Sequence, residues 1–160
     1  MTPYLIIMCG PPGTGKTTKA QEVFERVTAR GFSAEVVSKD DIRLKYLTKE
    51  DDYWAYEDKV MRDYKARLLY SLMSNDYTIA DASHLLEQQR QELINYLHQH
   101  CGYFFITIIA AAVKTPMKLA IERDAAREGR RKVGAAMIKQ MYEIFEIPQD
   151  TYCGNRVYYF

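Results

Sequence analysis

Residues 10–18 of the 160-residue chain read Gly-Pro-Pro-Gly-Thr-Gly-Lys-Thr-Thr, and they are its most informative stretch. It follows the apolar run 4–9 and precedes a helix-like stretch that starts at Thr17. The glycines let the backbone turn with its N–H groups pointing inward, so that loop and helix N-terminus can hold a phosphate. Its position between a buried strand and a helix disfavours a chance match to G-x-x-x-x-G-K-[ST]. The sequence therefore predicts a phosphate-binding loop.

Two side chains of the loop have predicted chemical roles. Lys16 is expected to act in catalysis by reaching the β- and γ-phosphates, and the Thr17 hydroxyl to ligate Mg²⁺. ATP and Mg²⁺ are thus the expected cofactors. The residues expected to contact the nucleotide are Gly10, Pro11, Pro12, Gly13, Thr14, Gly15, Lys16, Thr17 and Thr18.

Composition is that of one globular domain spanning residues 1–160. Hydrophobic residues make up 48% and charged residues 27%, and the formal net charge is +1. No apolar run approaches the roughly 20 residues that span a membrane, and nothing resembles a signal peptide. The cysteines form no C-x-x-C pair, so we expect reduced thiols and a cytoplasmic location. They are Cys9, Cys101 and Cys153.

The periodicity of apolar residues predicts alternating strands and helices. The expected strands are 4–9, 33–38, 77–81, 103–112 and 156–160. The main expected helices are 17–30, 52–73, 85–100 and 134–145. This order implies a three-layer α/β fold with a mostly parallel central sheet.

Positive charge is concentrated in residues 114–133, which contain seven basic and three acidic side chains. A helix is expected to start at Thr115-Pro116 and to be interrupted by Gly129. The spacing i, i+4 and i+7 places Arg123, Arg127 and Arg130 on one face of that helix. Such a face can meet polyphosphate, so the segment is predicted to be a basic helical lid.

Three missing motifs narrow the class of phosphate-loop protein. The chain lacks the Asn-Lys-x-Asp and Asp-x-x-Gly motifs that a GTPase needs. A motor ATPase would need an apolar strand ending in Asp-Glu, whereas Asp81 is followed by Ala82. A compact ATP-dependent kinase is favoured, and phosphoryl transfer requires positioned phosphates, positive charge and a carboxylate at the acceptor.

Residues 38–43, Ser-Lys-Asp-Asp-Ile-Arg, follow the second strand, at the sheet edge where ligands bind in such folds. Together with the phosphate loop, Asp81, Arg123-x-x-x-Arg127 and Met141-Tyr142, the segment resembles the kinase domain of phage-type 5′-hydroxyl polynucleotide kinases. The resemblance runs from residue 4 to about residue 148. It implies that Asp40 is the general base on the acceptor hydroxyl and Arg43 binds the acceptor's phosphate. Arg127 would clamp the donor's phosphates, with Arg123 beside it.

Several roles stay open at the level of sequence. Asp40 and Asp41 could both cap a helix over 42–47, and we expect this of Asp41. Asp81 contacts the acceptor or a Mg²⁺-bound water, or it caps the turn into Ser83. The aromatic residues at 53, 54 and 56 either stack on bases or pack the long helix. The predicted acceptor-binding residues are Asp40, Arg43, Asp81 and Ser83.

The chain also departs from the polynucleotide kinase pattern. Ser83 replaces an amide, Gly134 replaces a proline, and no basic stripe lies outside the lid to grip a long nucleic acid. The expected acceptor is nonetheless the 5′-OH end of DNA or RNA. We expect neither membrane association nor an obligate protein partner. The alternatives are a kinase of a metabolite, nucleoside or antibiotic, a zeta-toxin-like kinase, and a nucleotide-binding switch or ATPase.

Overall fold

The computed structural model describes residues 2–101, 106–149 and 156–159, and within these ranges five strands form one sheet. The strands are β1 (Tyr4–Cys9), β2 (Ala34–Ser38), β3 (Tyr77–Asp81), β4 (Thr107–Ala112) and β5 (Arg156–Tyr159). Their order in the sheet is β2-β3-β1-β4-β5, and each of the pairings is parallel. The predicted α/β fold with a parallel central sheet is confirmed.

Helices cover both faces of this sheet. They are α1 (Lys16–Thr28), α2 (Lys39–Tyr46), α3 (Glu57–Ser74), α4 (Glu87–His100), α5 (Met117–Ala125) and α6 (Ala135–Ile144). Strand β1 is continuously apolar, as expected for a strand that is buried on both faces. Its side chains Leu5 and Ile7 pack with α3 and α4, whereas Ile6 and Met8 pack with α1. The three-layer arrangement is thus present.

The helix expected over 52–73 begins only at Glu57, so its predicted start was wrong. Asp52 Oδ1 accepts a hydrogen bond from the backbone N–H of Trp54 at 2.8 Å. Such local bonds compete with helix formation. Tyr53 and Trp54 consequently lie in a turn before α3, and both rings contact Arg43 of α2.

The predicted single arginine face of the lid was also wrong. Helix α5 ends at Ala125, and a separate 3-10 turn spans Gly129–Arg131. Positions 123, 127 and 130 therefore do not share one helix. Gly129 has a φ of 65°, a left-handed conformation that suits glycine and redirects the chain.

Buried Asp124 explains why the lid folds back on itself. Its Oδ1 accepts from the N–H of Val133 at 3.1 Å, and its Oδ2 from the N–H of Gly134 at 2.8 Å. Because the carboxylate accepts from these two backbone N–H groups, it holds the end of the lid, at residues 133–134, next to helix α5. Sequence reasoning counted Asp124 only as a charge.

The structure describes only part of the predicted fourth and fifth strands and two of the three cysteines. Residues 103–105 of the expected fourth strand, Phe160 and Cys153 lie outside the described residues. Cys9 and Cys101 are free and buried, and their cytosolic location stays a prediction. Within the described ranges, no helix combines the length and the apolar character needed to span a bilayer.

Candidate active site

The phosphate loop joins β1 to α1 at the carboxyl edge of the sheet. Gly10, Gly13 and Gly15 have φ values of 145°, 79° and 97°, which glycine adopts without steric cost. Gly13 has a second constraint, because a Cβ there would lie 2.3 Å from the backbone oxygen of Ala120 in α5. The glycine spacing thus serves both the turn and the close approach of the lid helix.

Lys16 is buried inside the loop. Its Nζ donates a hydrogen bond to the carbonyl oxygen of Pro11 at 2.8 Å. Burial lowers the pKa of Lys16 to about 8, while the nearby carboxylates of Asp81 and Asp40 raise it in part. The ammonium group is therefore held across the loop in a poorly solvated position, where an anion would stabilise its charge.

A hydrogen bond between Thr17 and Asp81 joins the start of α1 to the end of β3. The Thr17 hydroxyl donates to Asp81 Oδ2 at 2.8 Å, across 64 residues of sequence. Asp81 is 6% exposed, and burial raises its pKa, against the lowering effects of this hydrogen bond and of Lys16. Of the alternatives for Asp81, this hydrogen bond to Thr17 favours contact with a Mg²⁺-bound water, and that role stays a prediction.

The oxygen atoms at this point fit Mg²⁺ chemically. Mg²⁺ prefers hard oxygen ligands and is commonly bound through one or two carboxylates, waters and substrate phosphates. Thr17 Oγ1 and the Asp81 carboxylate supply such oxygens next to the phosphate loop. These two residues would hold the ion, directly or through water.

The Asp40 carboxylate stands opposite the loop, at the start of α2. Its Oδ1 accepts from Arg43 Nη1 at 2.5 Å and from the Tyr53 hydroxyl at 2.9 Å. Both bonds go to the same oxygen. Ser38, not Asp41, is the helix cap, since the Ser38 hydroxyl accepts from the Asp41 N–H at 3.2 Å. The expected capping role of Asp41 was wrong, because the hydroxyl one turn earlier already fills it.

Arg43 is 3% exposed and lies among carboxylates and aromatic rings. Its Nη2 donates to Glu57 Oε2 at 2.6 Å, and Glu57 Oε1 also pairs with Lys39. The guanidinium carbon lies 4.7 Å from the ring centre of Tyr53 and 4.8 Å from that of Trp54. Sequence reasoning missed Glu57 and Lys39, and their spacing to Arg43 carries no recognisable motif.

The lid arginines lie at different points around the loop. Arg127 lines the same cavity as Lys16 and Asp40, and its Nη1 lies 3.5 Å from Asp124 Oδ1. Arg123 Nη1 instead donates to the carbonyl oxygen of Thr14 at 3.4 Å. Of the two arginines, Arg127 lines the cavity that contains Lys16, whereas Arg123 contacts the backbone of the loop.

A further link connects the lid with α2. Arg131 Nη2 lies 2.5 Å from Asp41 Oδ1. The side chains of both residues are more than half exposed, and exposed pairs contribute little to stability. The pair nevertheless places the lid next to the helix that carries Asp40.

The turn after β3 contains a residue that sequence reasoning did not assign. His84 has a φ of 42°, its Nδ1 lies 2.7 Å from the Met8 carbonyl oxygen, and its Nε2 lies 3.2 Å from the Tyr64 hydroxyl. Burial lowers the pKa of His84 to about 4. A neutral ring can donate to Met8 and accept from Tyr64, which ties this turn to β1. The Ser83 carbonyl accepts from the Gly10 N–H at 2.9 Å.

Most of the predicted site residues line one cavity of about 460 Å³. It continues past Asp40 and Arg43 to apolar side chains of α3, α4 and α6. We call it the first cavity. The predicted residues within it are Pro12, Gly13, Gly15, Lys16, Thr17, Thr18, Asp40, Arg43, Asp81, Ser83 and Arg127.

A second cavity of about 470 Å³ lies on the other side of the loop. Pro11 and Thr14 line it together with Tyr142 and Phe145 of the chain after the lid. The Tyr142 hydroxyl donates to the Thr115 carbonyl at 2.7 Å, which fixes the ring. Gly10 and Arg123, although predicted to contact the nucleotide, line neither cavity.

Fold and site together define a P-loop protein with a kinase-like nucleotide site. The chain belongs to the AAA domain family, whose model matches residues 5–148. No curated protein matches the chain.

The solved structures that share the fold include the following three. A protein of Chloroflexus aurantiacus J-10-fl assigned as a kinase has a TM-score of 0.75 at 21% identity and covers 99% of this chain and 85% of its own. A chain of the Pnkp1/Rnl/Hen1 complex has a TM-score of 0.59 at 23% identity, over 76% of this chain and 39% of that one. A gluconokinase from Sinorhizobium meliloti 1021 has a TM-score of 0.56 at 16% identity, over 99% and 83%. This chain thus spans well under half of the Pnkp1/Rnl/Hen1 component.

Proposed function

We propose that this protein is an ATP-dependent kinase that transfers the γ-phosphate to a hydroxyl group, with the 5′-OH end of DNA or RNA as acceptor. One observation carries the proposal: the Asp40 carboxylate lies in the same cavity as Lys16 and Thr17. Phosphoryl transfer requires positioned phosphates, positive charge and a group that orients the nucleophile. In the first cavity, Lys16 and Thr17 would position the phosphates and supply positive charge with bound Mg²⁺, and Asp40 would orient the nucleophile.

The donor would lie across the phosphate loop. Its phosphates would be held by the loop N–H groups, by Lys16 and by Arg127, while the adenine would enter the second cavity beside Tyr142 and Phe145. When bound at Thr17 and Asp81, Mg²⁺ supplies charge neutralisation on the phosphates.

Asp40 would act on the acceptor hydroxyl through its second oxygen. Because Oδ1 holds Arg43 and Tyr53, we assign Oδ2 to the hydroxyl proton. As the hydroxyl oxygen forms its bond to the γ-phosphorus, the bond from that phosphorus to the β–γ bridging oxygen breaks. The proton passes to Asp40 and ADP leaves with the bridging oxygen.

Two features of the site and one structural likeness support a nucleic acid end as acceptor. Arg43 lies one helical turn from Asp40, so a phosphate one nucleotide away from the reacting hydroxyl could reach it. The exposed ring of Trp54 offers a surface for a base. A chain of the Pnkp1/Rnl/Hen1 assembly, described as an RNA repair complex, shares the fold.

A small hydroxyl-bearing molecule is the second candidate, and the size of the first cavity favours it. About 460 Å³ is within the range of small-molecule sites. The apolar side chains Met61, Leu93 and Met141 line its far end. The gluconokinase fold is also similar.

The test is transfer of label from γ-labelled ATP to 5′-OH DNA, 5′-OH RNA, nucleoside 3′-monophosphates, and a panel of nucleosides, sugars and antibiotics. Labelling of nucleic acid ends supports the proposal. Robust labelling of one small molecule, with none of nucleic acid, would select the second candidate. ATP hydrolysis without any acceptor, insensitive to Asp40→Asn, would instead indicate a nucleotide-dependent switch.

A further inference from the structure

Arg43 makes an incomplete set of hydrogen bonds for a buried guanidinium. Nη1 donates to Asp40 and Tyr53, and Nη2 donates to Glu57. Nε is buried and has no hydrogen-bond partner among the described residues. A buried donor without a partner is unfavourable. The edge of the guanidinium formed by Nε and Nη2 is therefore only half used.

Glu57 divides its two oxygens between two cations. Oε2 accepts from Arg43 at 2.6 Å, and Oε1 pairs with Lys39. Both cations lower the pKa of Glu57 against the effect of its burial. Since Lys39 holds the other oxygen, Glu57 can release Arg43 and still keep one ionic partner.

We infer that Glu57 is an internal counter-ion that an acceptor's phosphate displaces from Arg43, and that it sets the preference between phosphorylated and unphosphorylated acceptors. The inference rests on the proposed function. A tetrahedral phosphate presents two oxygens to the Nε–Nη2 edge, a bidentate geometry that a guanidinium favours. That contact satisfies Nε, which Glu57 leaves unpaired, while Nη1 continues to hold Asp40.

Glu57 thus lowers the affinity of the site for phosphorylated acceptors, because it competes with their phosphate for Arg43. An acceptor without a phosphate leaves the Arg43–Glu57 pair intact, whereas a phosphorylated acceptor must exchange with it. Removing the Glu57 charge should help only the phosphorylated acceptor. Removing Lys39 should have the opposite effect, because Glu57 then has Arg43 as its single cation in this cluster.

The experiment measures binding of thymidine 3′-monophosphate and thymidine by calorimetry, with a non-hydrolysable ATP analogue saturating the phosphate loop. Glu57→Gln should bind the monophosphate about tenfold more tightly, as expected for removal of one competing charge-assisted bond, with thymidine unchanged. Lys39→Met should bind the monophosphate more weakly, and the double variant should match Glu57→Gln. Asp58→Asn, which removes a neighbouring exposed charge from the first turn of α3, should behave as wild type.

An unchanged ratio of the two affinities in Glu57→Gln, or no binding in any variant, would overturn the inference. Equal weakening of both ligands would do the same, since it would mean that Glu57 only supports the shape of the site. Binding with the expected ratios but without phosphoryl transfer would instead reject the proposed function and leave the inference standing.

Discussion

Replacing Asp40 with asparagine tests the general base while changing little else in the structure. The amide oxygen can still accept from Arg43 and Tyr53, as Oδ1 does now. The other position becomes an NH₂ group, which cannot take the acceptor's proton. We therefore expect kcat to fall by roughly 10²- to 10⁴-fold, the usual contribution of a positioned general base.

Folding should be largely preserved in this variant. The Asp40 side chain is 58% exposed although Arg43 is buried, and because the amide oxygen keeps both hydrogen bonds, loss of the charge alone should cost about 1 kcal/mol. For a chain of this size that amounts to a shift in Tm of at most about 4 °C. Glu57 continues to hold Arg43 through Nη2.

The assay is steady-state label transfer together with thermal unfolding, and Asp41→Asn is the matched control. Asp41 carries the same charge in the same turn, but it pairs with Arg131 and contacts neither Arg43 nor Tyr53 in the hydrogen bonds described. Its loss should change kcat by no more than a few-fold, and ATP affinity should be similar in both variants. Equal losses of kcat in the two variants would show that Asp40 is not the base.

Three further results are expected. Lys16→Ala should abolish turnover without unfolding the protein, which activity and circular dichroism would show; wild-type turnover would remove the phosphate-loop assignment. Arg43→Ala should erase the preference for a 3′-phosphorylated acceptor at a cost on the order of 2 kcal/mol in kcat/KM, whereas Arg127→Ala should slow transfer to all acceptors alike. His84, whose pKa falls from 6.5 to about 4 on burial, binds its proton less readily folded than unfolded, so stability should fall as pH drops through that interval, by up to ~3 kcal/mol. Unfolding curves at pH 7 and pH 5 should show a smaller pH effect in His84→Gln; an equal effect would exclude His84 as the cause.

Local sequence patterns were sufficient for the framework of the site. The glycine spacing of residues 10–18 and the apolar runs around it are short-range signals, and the structure confirms the loop, the parallel sheet and the three layers. Asp40 and Arg43 were found because they follow a strand and Asp81 because it ends one, and parallel strands bring their carboxyl ends to one edge. Their chemical roles stay predictions.

Patterns along the chain were enough to predict the succession of strands and helices and most of the residues that line the first cavity. How those residues are paired depends on the folded structure. Glu57, the first residue of α3, pairs with Arg43 of α2, and Asp124 turns the lid back because it is buried beside two backbone donors. Such contacts depend on packing and desolvation between separate segments, which no spacing along the chain records.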